Sequence, residues 1–280
     1  MKTKYTGMSI AATAIMLAAC GGGGSGGSTG SSAATQTTSP PQTTTVGDWI
    51  YQGSAPTITG VSGTVAAVFI PDSLTGNSLT GSMFNAANAP LSSQVQQANY
   101  GGAFTTLSAI TGPAISLTKH STIADINGVG GYIAIGRWTH GSDSSGGNYT
   151  ANQGAHYAVG SPLTLTASAG SLSCTNLMAT SPSSATGSVA PGSLVSASAT
   201  LDLTTLSLVN FNATVTIGSD TAATITKASA MAAGTSMGGG VTTASQPMGN
   251  DITKPLLAVA YGGHLPNTGD VNGLVVLSCQ

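Results

Sequence analysis

Glutamate is absent from this 280-residue chain, and charged residues of all kinds make up only 5% of it. A soluble domain ordinarily carries about a quarter. Beyond residue 20 the cations are Lys119, Arg137, Lys227 and Lys254. Four scattered cations cannot neutralise a run of phosphates, which excludes nucleic acid as a partner. Aromatic residues are equally sparse at 5%. No apolar run after the N-terminus approaches the roughly 18 residues that a membrane-spanning helix needs. The carboxylates available for acid–base chemistry are all aspartates, and Asp143, Asp220, Asp251 and Asp270 sit in turn-like sequence, where Asp bonds nearby backbone. His120, His140, His156 and His264 form no H-x-H or H-E-x-x-H spacing, so no dedicated zinc site is indicated. Asp143 with Asn148 in a Gly-rich loop is the nearest approach to a calcium site, without EF-hand spacing. The G-x-S-x-G string from Gly234 to Gly238 recurs at Gly23–Gly27 and Gly26–Gly30 in low-complexity sequence. It therefore arises by composition, and Ser236 is not read as a nucleophile. No catalytic residue and no metal ligand is assigned, and the chain is read as non-enzymatic.

What is present begins at the N-terminus. Lys2 and Lys4 precede an apolar run from Met8 to Ala19, the charged and apolar regions of an export signal (1–19). The signal runs up to Leu17-Ala18-Ala19, and with Cys20 this stretch resembles the lipobox of bacterial lipoproteins. That resemblance implies a diacylglycerol on Cys20; a plain signal with an incidental cysteine is the alternative. Residues 20–45 are rich in Gly, Ser, Thr and Pro with no apolar period, and such a linker behaves as a coil spanning roughly 25–30 Å. Gly21 rather than Asp follows the cysteine. By resemblance to Gram-negative lipoproteins this favours the outer membrane. With Cys20 lipidated, Cys174 and Cys279 remain, either as one disulfide in an oxidising compartment or as two buried thiols.

The folding part reads as all-β. Val195, Ala197, Ala199, Leu201 and Leu203 alternate with Ser196, Ser198, Thr200 and Asp202. Alternation resumes at Val209, Phe211, Ala213, Val215 and Ile217. Two such runs joined by a few polar residues make an antiparallel hairpin. Further strands are expected over 64–70, 114–119, 131–138, 155–159, 163–169, 171–178, 221–227, 255–261 and 272–279. One helix is expected over 90–99, with Pro90 in its first turn. Tyr132 and Trp138 fall on one face of their strand and Ile133 and Ile135 on the other, so both faces are expected to be covered. His156, out of phase with Tyr157 and Val159, is expected to face solvent, and His264 to sit in a turn. Many short strands with sparse surface charge favour a compact antiparallel barrel.

Gly136-Arg137-Trp138, then Asn152 to Pro162, then the Ala199–Thr216 hairpin, form an ordered series. The series is similar to the C-terminal barrel of transferrin-binding-protein-B-like surface lipoproteins. The resemblance covers roughly residue 130 to the end. It implies an eight-stranded antiparallel barrel (126–280) preceded by a small β-rich, handle-like segment (46–125), on a lipidated Gly-rich anchor. Two features depart from that family. Its late Phe-rich glycine motif is replaced by Pro247-Met248-Gly249-Asn250-Asp251, and its transferrin-binding members are longer and two-lobed, so transferrin binding does not carry over. What carries over is capture of a host or nutrient ligand at the cell surface. Since some relatives handle haem or haemoglobin, His120 and His140 are the implied haem ligands. A structural envelope lipoprotein with no soluble ligand is the alternative.

Overall fold

The computed structural model describes residues 42–74, 83–91, 96–97, 100–108 and 113–280; the expected signal, Cys20 and the linker lie outside them. Strands and no helix occur among the described residues. The first group is β1 (Thr43–Val46), β2 (Trp49–Gly53), β3 (Thr64–Ile70), β4 (Phe84–Pro90), β5 (Gln96–Gln97), β6 (Phe104–Leu107), β7 (Ile115–Ser116), β8 (Thr122–Val129), β9 (Ile133–Thr139), β10 (Gly141–Ser142), β11 (Asn148–Tyr149) and β12 (Ala155–Gly160). The second group is β13 (Ser171–Ala179), β14 (Ser183–Ser184), β15 (Ser193–Asp202), β16 (Ser207–Ile217), β17 (Asp220–Met231), β18 (Gly234–Ser236), β19 (Val241–Met248), β20 (Leu256–Leu265) and β21 (Gly269–Cys279).

The first group builds a seven-stranded sheet in the order β1-β2-β8-β9-β12-β3-β4. Only β2 and β8 run parallel. One face of this sheet carries Tyr51, Phe69, Trp138 and Tyr157, packed with Phe104, Leu107 and Ile115 of the small β5-β6-β7 sheet. The Trp138 indole donates to the Phe104 carbonyl at 2.8 Å, and Phe104 N donates to the Tyr157 hydroxyl at 3.1 Å. Two buried aromatics thus use their polar ends to fix the start of β6. Tyr157 lies across Gly136, its partner on β9; a Cβ there would fall 2.3 Å from the Tyr157 oxygen. The ring covers a strand glycine that has no side chain to pack. Gly136→Ala is therefore expected to displace Tyr157 and cost about 1–3 kcal/mol by overpacking, read as a lower urea midpoint at unchanged slope. An unchanged midpoint would mean that the ring is free to move.

The opposite face presents Ala66, Val68, Ile70, Ile133, Ile135 and Ala158 to Ala244, Ala258, Ala260, Leu274 and Val276. The latter residues belong to β19–β21, so those strands, like β9 and β12, are buried on both sides. The double coverage expected for the Trp138 strand is present.

The second group follows the eight-strand antiparallel path β17-β16-β15-β13-β21-β20-β19-β18 and curls toward a barrel, with β14 pairing β21 off the path. Leu201, Leu208, Phe211, Ile225, Val259, Tyr261 and Val275 share its interior. The two ends of the path meet without a backbone ladder. Side chains stitch them instead: Met231 N donates to Ser236 Oγ at 2.9 Å, Ser245 Oγ to the Met231 carbonyl, and Lys227 Nζ to the carbonyls of Gly238 at 2.6 Å and Val241 at 2.8 Å. Ser236 is thereby a structural residue. On the uncovered outside, Thr175, Ser198, Asn212 and Thr226 form one cross-strand row, a hydrated surface built without charge.

Several expectations are corrected. Pro90 closes strand β4 rather than opening a helix, and residues 96–97 of the expected 90–99 helix are strand β5. No strand forms between Pro162 and Ser171; that segment joins the two sheets, and Leu163 and Leu165 are only half-buried there. The division expected at 125/126 falls inside β8. Because β8, β9 and β12 pair into the sheet of β3, the chain passes from one sheet to the other at 161–170. Sheet membership follows pairing partners and not order along the chain.

Candidate functional site

The short β10–β11 hairpin, Gly141 to Tyr149, separates two adjoining recesses. One, of about 580 Å³, is lined by His140, Gly141, Asn148, Tyr149, Thr150 and Ala151. The other, of about 280 Å³, is lined by Pro71, Asp72, Ser73 and residues 145–148. Asp143 sets the hairpin's shape. Its carboxylate accepts from Ser145 N at 2.7 Å, Ser145 Oγ at 2.6 Å, Gly147 N at 3.3 Å and the Tyr149 hydroxyl. An acidic side chain bonding the backbone two and four residues on is a turn-forming device. Burial, and then the Asp143 hydrogen bond, push the Tyr149 phenol well above its usual range, so Tyr149 stays a donor at any physiological pH. Asp143 thus serves the hairpin's own donors, and the Asn148 amide donates to the Gly146 carbonyl. No cluster of three His, Cys, Asp or Glu suited to a metal occurs among the described residues.

Asp72, across the second recess, is the unusual carboxyl. Burial, with the nearby Asp143 charge adding to it, raises its pKa to about 6. It is therefore divided between acceptor and donor forms near neutral pH.

Behind the recesses lies a buried polar network that joins the two sheets. Asn272 on β21 donates its amide to the carbonyls of Asp72 at 2.6 Å and Pro71 at 3.4 Å. Its Oδ1 is left to accept, from Ser183 Oγ at 2.8 Å and from His156 Nε2 at 2.9 Å. That assigns the His156 proton to Nε2 and leaves Nδ1 to accept from Thr180 Oγ1 at 2.7 Å. Beside it, Arg137 Nε donates to Asp125 at 2.8 Å, and Asp125 accepts from Ser181 N at 2.9 Å and Ser181 Oγ at 3.0 Å. His156 is thus fully buried, not solvent-facing as its phase implied. Burial above all, then the Arg137 charge, lower its pKa to about 3. Ser183 Oγ stands 3.0 Å from His156 Nε2, but its proton goes to Asn272 and the pair is sealed from solvent. This is a structural joint, and the serine is not activated for attack.

The remaining predicted residues have clear places. Cys174 and Cys279 form a disulfide in the second core. His120 and His140 flank one end of the β8–β9 ladder, where Thr122 pairs Thr139. Both have left-handed backbone, φ 65° and 50°. Only His140 lines the larger recess, which therefore presents one imidazole rather than the pair implied for haem. His264, expected in a turn, lies instead within β20 and pairs Asp270 on β21, with Nδ1 3.0 Å from Asp270 Oδ1. Asp72, Asp125, Arg137, Thr180, Ser183 and Asn272 were not indicated by the sequence, since each gains meaning only from a partner on a distant strand. No protein family, curated protein or solved structure matches the chain.

Proposed function

We propose that the protein is a non-catalytic lipoprotein of the outer membrane that binds a host or nutrient ligand at the cell surface through the β10–β11 hairpin and its two recesses. The observation that carries the reading is the hairpin itself, a loop fixed by Asp143 on a rigid sheet with a concave surface on either side. Loops held by rigid scaffolds are where recognition concentrates. The resemblance of Leu17–Cys20 to a lipobox and the Gly/Ser/Thr/Pro-rich sequence after it support an anchor with reach. The eight-strand path, with its earliest long strand β13 beside its last, β21, fits the compact eight-stranded barrel that the resemblance implies.

Two measurements test it. Cys20→Ser is expected to move the protein from the membrane pellet to the soluble fraction; continued pelleting would remove the anchor from the reading. Protease added to intact cells is expected to digest the folded part while a periplasmic marker survives. Digestion only after the outer membrane is permeabilised would overturn the surface role and leave an envelope lipoprotein.

A further inference from the structure

Of the two deeply buried cations, Arg137 has a carboxylate partner in Asp125, but Lys227 has none. Lys227 is 8% exposed, and the ion pairs among the described residues are Lys119–Asp48, Arg137–Asp125 and His264–Asp270. An ammonium has three donors. Two go to the carbonyls of Gly238 and Val241, and the third meets no protein acceptor among the described residues. Burial pushes the amine's pKa down, the direction expected when no opposite charge offsets desolvation. Beside the amine opens a recess of about 370 Å³ lined by Thr226, Lys227, Ala228, Ser229, Gly238 and Gly239. Its glycine wall is unusual. Gly238, Gly239 and Gly240 all have positive φ, at 106°, 67° and 74°, and no side chain screens the backbone there.

We propose that this recess binds a small oxyanion, a carboxylate or a phosphate, with Lys227 as its charge partner. The anion completes the third donor and neutralises a cation otherwise buried alone, the condition under which a buried charge becomes tolerable. Its effect reaches the fold, because the same ammonium stitches β17 to the β18–β19 hairpin where the curled sheet lacks a ladder. Opening that seam separates Lys227 from Gly238 and dismantles the site, so occupancy holds the seam shut.

Hydrogen exchange of the full-length protein in detergent tests this, with inorganic phosphate or sodium formate exchanged for sodium chloride at constant ionic strength. Amides of the β18–β19 ladder, where Gly234 pairs Ser245 and Ser236 pairs Thr243, are expected to exchange about tenfold more slowly at ten times the dissociation constant. The β15–β16 amides should not change. Response to formate and phosphate alike indicates a general oxyanion site, and response to one alone identifies the source. Lys227→Gln keeps donors for both carbonyls without the charge and should abolish the response, and Lys227→Met should abolish it with faster basal exchange. No slowing in the native protein, or the same slowing in Lys227→Gln, would overturn the proposal.

Discussion

Replacing Cys174 and Cys279 together by alanine is expected to cost the fold about 4–5 kcal/mol. The bridge spans a sequence separation of 105 residues, and a cross-link closing a loop of that length removes about 4.7 kcal/mol of chain entropy from the unfolded state. Position adds to length. Cys174 and Cys279 face each other across the β13–β21 ladder, which joins the half of the sheet running to β17 to the half running to β18. Urea unfolding followed by tryptophan fluorescence should show the midpoint falling by a large fraction of its native value, and native protein with the bridge reduced should match the double variant. A loss below about 1 kcal/mol would mean that the ladder, and not the covalent link, holds these strands in register.

The second large effect concerns acid. His156 titrates at about 3 in the folded protein and at about 6.5 when unfolded. Below pH 6.5 the unfolded chain takes up a proton that the folded protein refuses. Stability is therefore full above that value and declines as pH falls toward 3. At pH 4 this amounts to about 3 kcal/mol, from roughly 1.4 kcal/mol per unit. Asp72 works in the opposite sense. Its folded value of about 6 lies above the ordinary carboxylate range, so protonation between pH 6 and 4 favours the folded form and offsets part of the loss. Two substitutions separate the contributions. His156→Gln keeps a hydrogen-bonding amide but does not titrate, and its unfolding midpoint should vary less with pH between 7 and 4 than that of the native protein. Asp72→Asn should make the native acid loss steeper. Equal pH slopes in all three proteins would place the acid sensitivity elsewhere.

How far the sequence revealed this architecture depended on solvent. The hairpin of β15 and β16 was legible because one of its faces is wet, so apolar residues such as Ala199 and Phe211 alternate with Ser198 and Asn212. Between the two sheets the alternation fails. β19 reads Val-Thr-Thr-Ala-Ser-Gln-Pro-Met and is buried throughout; it was missed because its polar residues look exposed until their partners are known, as when Gln246 Oε1 accepts from Asn85 at 3.3 Å. The same double burial misled the reading of His156: a polar residue out of phase with apolar neighbours faces water only if that side of the strand is bare. The structure puts His120 and His140 at one end of a ladder, a proximity that their spacing of twenty residues does not reveal. The recesses were not legible at all. The smaller depends on Pro71, Asp72 and Ser73 meeting the 145–148 turn, residues some seventy positions apart, and the larger on how the β10–β11 hairpin folds over its own flanks.

The pairing of β13 with β21 also sets an order of events during synthesis. Chains emerge N-terminus first, and β21, which hydrogen-bonds β13, β14 and β20, lies within the last dozen residues of the sequence. Until those residues arrive, β13 has an unpaired edge, Asn272 is missing from the His156 network, and the outer face of the first sheet lacks Leu274 and Val276. The nascent protein therefore has an open strand edge and an incompletely covered apolar face, the situation in which chains aggregate. The fold is thus closed by its last-made strand, so the assembly of the two sheets is coupled to the arrival of β21.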